Sequence, residues 1–215
     1  MTPFFFGNAE SPLFGCHHPP RVRKQRRAGV LLCPPVGQEY IRTHWTLRQL
    51  AGRLTREGYH VLRFDYHGVG DSAGASGEGS VAQWSGDVSA AAQELRDVSG
   101  TRQLSCVGLR LGATLAARAA SEGLAMQQLV LWDPVVDGGA HLRQLEALHE
   151  AMLVDPMRYP EPRQAGGSEE LFGFAFPASL KASLRGLDLR ALKLSGAVRR
   201  VVLLVSQRLP AYEEL

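Results

Sequence analysis

Apolar residues in this chain fall into short unbroken runs, separated by longer stretches in which they recur every three or four positions. Residues 29–33 (GVLLC) form one such run, closed by Pro34-Pro35. That pattern predicts a strand buried on both faces, as in a parallel sheet. Residues 43–57 then set Trp45, Leu47, Leu50, Ala51 and Leu54 at helical spacing, and Gly58 stops the helix. The unit repeats. Residues 59–65 (YHVLRFD) read as a strand, 67–80 as a Gly/Ser-rich loop, and 81–99 as a helix with Trp84, Val88, Ala91, Ala92, Leu95 and Val98 on one face. A strand at 105–108, a helix at 112–120 and a strand at 129–132 follow. Upstream, residues 4–6 and 12–16 read as two short strands about a turn at Gly7-Asn8. This alternation predicts an α/β fold with a mostly parallel sheet and helices on both faces.

After Asp133-Pro134 the pattern changes. Residues 135–197 contain a helical piece at 142–153 and a Pro/Gly-rich stretch at 156–167, with no strong strand until 200–206 (RVVLLVS). The expectation is one α/β domain over residues 1–215, with 135–197 inserted as a cap over the strand ends.

Composition narrows the function classes. The 215 residues are 45% hydrophobic and 21% charged, which suits a globular domain. No apolar run approaches the roughly 18 residues of a membrane span. The first seven residues carry three Phe but no basic segment, so they do not read as a secretory signal. Net charge is +3, from 24 Lys+Arg and 21 Asp+Glu, too even for a whole-surface nucleic-acid binder. The local excess at Arg21, Arg23, Lys24, Arg26 and Arg27 reads as a solvated loop, with a phosphate or membrane-surface patch as the alternative. Cys16, Cys33 and Cys106 are odd in number and lack CxxC spacing, which predicts buried thiols in a reducing cytoplasm and no metal site. No cofactor is implied.

One motif carries chemistry. Gly108-Leu109-Arg110-Leu111-Gly112 lies between an apolar strand and a helix of small residues, the setting of a nucleophile elbow, G-x-S-x-G. Two further stretches agree: the loop Asp65-Tyr66-His67-Gly68-Val69-Gly70-Asp71-Ser72 and the segment Pro34-Pro35-Val36-Gly37-Gln38. Together they resemble an α/β-hydrolase of the serine aminopeptidase-like branch. The chain is most similar to bacterial hydrolase-like proteins associated with exosortase systems, some of which carry a GLRLG elbow. The resemblance implies hydrolysis of ester, thioester or amide bonds as the family activity. It implies an oxyanion loop at Val36, Gly37 and Leu111, and places His67 and Asp71 at the pocket edge.

The sequence departs from that family where chemistry would occur. Arg110 stands where the nucleophilic Ser belongs, and a guanidinium has no lone pair with which to attack a carbonyl. Ser72, Ser105, Cys106 and Thr114 are not convincing replacements. The family supplies its acid after the strand that follows the cap, and its His after the last strand. Here Gln207-Arg208-Leu209 follow the first of these, no acid appears before Glu213, and all seven His lie upstream. A final strand and helix are also missing, so the expectation is a truncated chain, or a sheet edge covered by a partner chain. Arg110, beside a helix N-terminus, would either capture a carboxylate or phosphate or pair with Asp65, Asp71 or Asp133. The expectation is a cytoplasmic hydrolase-family protein that is non-catalytic or atypical. The alternative is a non-catalytic scaffold that binds an anionic or acyl-type small molecule.

Overall fold

A computed structural model describes residues 1–161, 169–194, 196 and 198–215. The chain opens with a hairpin of β1 (Thr2–Asn8) and β2 (Ser11–His18). It continues through β3 (Ala28–Cys33), α1 (Gln38–Arg56), β4 (His60–Phe64), α2 (Val81–Ser99), β5 (Gln103–Leu109), α3 (Leu111–Ser121) and β6 (Met126–Trp132). The cap between β6 and the next sheet strand holds α4 (Gly138–Leu153), the small hairpin β7 (Glu170–Leu171) and β8 (Phe174–Ala175), α5 (Ala178–Arg185) and a 3-10 turn at Leu189–Ala191. β9 (Val198–Leu204) and the four-residue α6 (Pro210–Glu213) complete it. Seven strands form one sheet in the order β1-β2-β4-β3-β5-β6-β9, parallel from β4 onward, with the hairpin antiparallel at one edge.

Strand periodicity sorts the core into two faces. Leu31, Cys33, Leu62, Cys106 and Leu129 pack with α2 and α3 on one face. Val30, Leu32 and Val61 pack with Ala51 of α1 on the other. α2 spans the predicted residues because its ends are specified locally. Ser80 Oγ accepts the Gln83 N–H at the start, and Gly100 adopts a left-handed conformation at the end.

Four expectations shift. The hairpin turn is at Ala9-Glu10, because Gly7 and Asn8 remain in the ladder opposite Pro12 and Ser11, and the Asn8 side chain accepts the Glu10 N–H. α1 begins at Gln38, five residues before the apolar spacing starts, since Gly37 (φ 63°) turns the chain from Pro34-Pro35 straight into the helix. Trp45 and Val98 are exposed rather than packed. β9 starts at Val198, and its Val201, Leu203 and Leu204 are exposed at the sheet edge. Residues 162–167 of the expected Pro/Gly-rich stretch lie outside the described residues.

The joint between the hairpin and the parallel strands has a titratable lock. His18, buried at the end of β2, accepts the Arg63 Nε–H at 3.2 Å, so that ring nitrogen is unprotonated. Burial, reinforced by the Arg63 charge, lowers the His18 pKa to about 4. The unfolded chain therefore takes up a proton on His18 as pH falls below about 6.5, while the folded chain resists it until about pH 4. The resulting stability is complete above pH 6.5 and is lost as pH falls through that window. Urea unfolding of His18→Gln is predicted to show a shallower loss of stability between pH 6.5 and 4 than the unchanged chain.

Candidate functional site

The site begins with a steric constraint. Between β5 and α3 the chain reverses within one residue, and Arg110 occupies it at φ 54°, ψ −124°. A Cβ at Gly108 would collide with the Ala113 backbone, and one at Gly112 with the Cys33 and Pro34 carbonyl oxygens. The two glycines thus let α3 start directly against the end of β3. Leu111, Ala113, Leu115, Ala116 and Ala117 are all buried behind it. The backbone of Arg110 is pinned as well. Its N–H donates to Trp132 O at 2.9 Å, and its carbonyl accepts the Ala113 N–H at 3.0 Å.

The Arg110 side chain is fully engaged. Its Nε donates to Glu39 Oε1 at 2.9 Å, and Nη1 donates to the Asp133 carbonyl at 3.1 Å. The guanidinium also lies close to the Tyr212 side chain. The acid that pairs with Arg110 is therefore Glu39, and none of the three aspartates considered from the sequence. Asp133 and Asp65 are occupied elsewhere. Asp133, itself at φ 43°, accepts the Ser206 N–H (2.6 Å) and the Ser206 hydroxyl (2.5 Å). Asp65 accepts the Tyr40 hydroxyl (2.7 Å) and the Asp71 N–H (3.2 Å), and burial raises its pKa. Glu39 was missed because a helix starting at residue 43 leaves it in a loop. With the helix starting after Gly37, it stands in the first turn, facing the elbow. His141 of α4 is buried nearby with Nδ1 unpartnered among the described residues, and burial lowers its pKa.

Neither member of this pair lines the main cleft, which lies past Val36 and Gly37, has a volume of about 370 Å³, and is bounded on one side by Phe174, Ala175, Phe176 and Leu180. Its walls include Val36, Gly37 and Ile41 from the β3–α1 segment, Val69 from the loop after β4, and Trp84 and Phe176. Of the predicted oxyanion residues, Val36 and Gly37 line this cleft, while Leu111 is buried as the first residue of α3. The predicted edge residues lie elsewhere. His67 turns outward, with Nδ1 3.1 Å from Ser11 Oγ and Nε2 3.8 Å from Glu78. Asp71 lines a separate depression with Tyr40 and His44. Between them, the backbone of Gly68, Val69 and Gly70 faces the cleft.

The other hydroxyls and thiols have structural roles. Ser72 donates to Asp65 O (2.6 Å) and accepts the Phe14 N–H, and Thr114 donates to Val135 O (2.6 Å). Ser105 is half-buried within β5, and Cys106 is buried beside Cys33. Among the described residues no group of three or more His, Cys, Asp or Glu could hold a metal ion.

Known proteins agree with this architecture. The family profile of serine aminopeptidase, S33, matches residues 25–162. No curated protein matches the sequence. Solved structures do. Est1E from Butyrivibrio proteoclasticus, solved with ferulic acid bound, superposes with a TM-score of 0.60 at 13% identity, covering 94% of this chain and 88% of its own. A lidless α/β serine hydrolase from Xanthomonas campestris gives 0.57 at 18% identity, over 96% and 84%. An α/β serine hydrolase homologue from Coxiella burnetii gives 0.54 at 15% identity, over 95% and 87%. At these identities the likeness is one of fold.

The strained backbone at residue 110 is separable from its side chain. Arg110→Gly is predicted to be more stable to urea than Arg110→Ala by about 1–2 kcal/mol, since both lose the Glu39 contact but only glycine tolerates positive φ freely. Gly112→Ala is predicted to cost about 1–3 kcal/mol by overpacking against β3.

Proposed function

Because the chain belongs to the serine aminopeptidase S33 family of α/β-hydrolases, we propose that it binds a small apolar or acyl-type molecule in the cleft without hydrolysing it. One observation carries the proposal. Arg110 occupies the strained elbow position, and a guanidinium cannot act as an acyl acceptor there. Its charge is already balanced by Glu39 and capped by the Asp133 carbonyl. That neutralisation favours an uncharged or acyl group over capture of a free anion, because an incoming carboxylate would have to displace Glu39. The cleft suits this ligand class, since Val36, Ile41, Val69, Trp84 and Phe176 present apolar walls.

In this proposal Val36 and Gly37 keep the oxyanion-loop role only as carbonyl-orienting groups, and Leu111, buried outside the cleft lining, has no part in it. A cytoplasmic location, a role beside an exosortase system (suggested by the GLRLG elbow) and a partner chain on the open β9 edge are finer parts of the same proposal. Among the described residues no helix is long and apolar enough to cross a membrane.

A direct assay tests it. The protein is incubated with p-nitrophenyl acetate, p-nitrophenyl butyrate and a fluorophosphonate probe. The expected outcome is no saturable turnover and no labelled serine. Turnover that survives Arg110→Ala, or labelling of one serine, would overturn the proposal. Ser11, already next to His67, is the serine to watch by mass spectrometry.

A further inference from the structure

Charge in this protein is segregated along the chain, and the fold gathers it in one place. Residues 21–57 carry nine of the 24 Lys and Arg but only two of the 21 acids, a net +7 against −4 for the rest. The loop that holds Arg21, Arg23, Lys24, Arg26 and Arg27 connects β2 to β3 and is tied to the end of α1. The Arg21 N–H donates to Thr55 O at 2.9 Å, and the Arg26 N–H donates to Gly58 O at 2.8 Å. Arg42, Arg48, Arg53 and Arg56 are exposed on α1 itself. A groove of about 450 Å³ joins the two segments, lined by Arg21, Arg48, Arg53 and Arg56 together with Trp45 and Met1.

None of the nine cations forms an ion pair among the described residues. The Arg26 and Arg56 side chains instead donate to the backbone carbonyls of Glu57 and Gly52, on or beside the helix's last turn. This surface is therefore more than the solvated loop read from residues 21–27. It is a composite of a loop and the outer face of a 19-residue helix.

Apolar side chains stand among these cations. Trp45 is 59% exposed and Ile41 62% exposed, four residues apart on α1 and so on neighbouring turns. The opposite side of the helix, through Leu47 and Ala51, is packed into the protein, so α1 lies along the surface. A helix that presents arginines with Trp and Ile on its outer face suits the boundary between lipid headgroups and acyl chains. Nucleic acid fits less well. The Arg48 guanidinium already lies over the Trp45 ring, 5.4 Å from its centroid and so within the roughly 6 Å reach of a cation–π contact, on a face that a base would need. Exposed Ile41 has no counterpart on a phosphate backbone.

We propose that the outer face of α1, with the loop carrying Arg21 to Arg27, docks this protein on an anionic phospholipid surface. The arginines contact headgroup phosphates, and Trp45 and Ile41 enter the headgroup–acyl boundary. Ile41 also lines the cleft, so docking would bring the cleft mouth close to the lipid. This surface is independent of whether the cleft hydrolyses or merely binds its ligand.

Flotation with vesicles tests it, using phosphatidylcholine alone and phosphatidylcholine mixed with phosphatidylglycerol. The protein is expected to float with the mixed vesicles and not the neutral ones, and to detach as salt is raised. The double variant Arg48→Glu, Arg53→Glu is expected to lose about tenfold or more in affinity, with an unchanged circular dichroism spectrum because both side chains are exposed. Brominated lipid is expected to quench tryptophan fluorescence in the unchanged protein, and Trp45→Phe to abolish that quenching although Trp84 and Trp132 remain. Failure to float, equal binding to neutral vesicles, or a double variant that binds undiminished would overturn the proposal. So would binding of duplex DNA or RNA in the absence of vesicle binding.

Discussion

The close approach of α3 to the end of β3 is the contact on which the site depends. It is possible only because residues 108 and 112 lack a Cβ, so that the Cys33 and Pro34 carbonyls can sit against the first turn of the helix. Once that approach is made, the connection from β5 must reverse within one residue, which forces positive φ on Arg110. The same approach fixes the path of the chain after β3. Pro34 and Pro35 lead to Gly37, and α1 starts at once, placing Glu39 within 2.9 Å of Arg110. The tight turn at residue 110, the path of residues 34–37 and the Glu39–Arg110 ion pair are thus consequences of one packing distance between a strand and a helix.

The Glu39–Arg110 pair is a quarter exposed on each side, so its contribution to stability is modest, about 1 kcal/mol or less. Its importance is occupancy. The position where a reaction would be driven is filled by two opposite charges that satisfy each other, next to a cleft with mostly apolar walls. Asp133 is similarly committed, its carboxylate clamping Ser206 beyond β9 while its carbonyl holds Arg110. Glu39, Arg110 and Asp133 are therefore directed at one another or at neighbouring backbone, while the cleft walls are mostly apolar.

Much of this was legible in the sequence. The alternation of apolar runs and 3.6-residue periodicity gave the order of sheet and helices, because buried parallel strands admit few polar residues. The glycines of the elbow were readable for the same steric reason that makes them necessary. What escaped were features set by backbone direction rather than composition. The start of α1 follows from the φ of Gly37, which a window of hydrophobicity cannot register, and with it went Glu39. Trp45 fits the helical spacing of a core residue, yet it is exposed, because spacing cannot tell a packed side chain from one presented to a surface. His67 and Asp71 were placed near the pocket by loop membership, but the loop's tight glycine turns aim their side chains away from it and leave the backbone to line the cleft.

The elbow has one more implication. Its geometry is imposed by Gly108, Gly112 and the strand behind them, and it persists with a side chain that cannot react. Folding therefore exerts no selection for a serine at position 110, and losing one would leave the scaffold intact. In a turn built this way, the backbone path is set by the glycines and the strand behind them, and not by the chemistry of the side chain at residue 110.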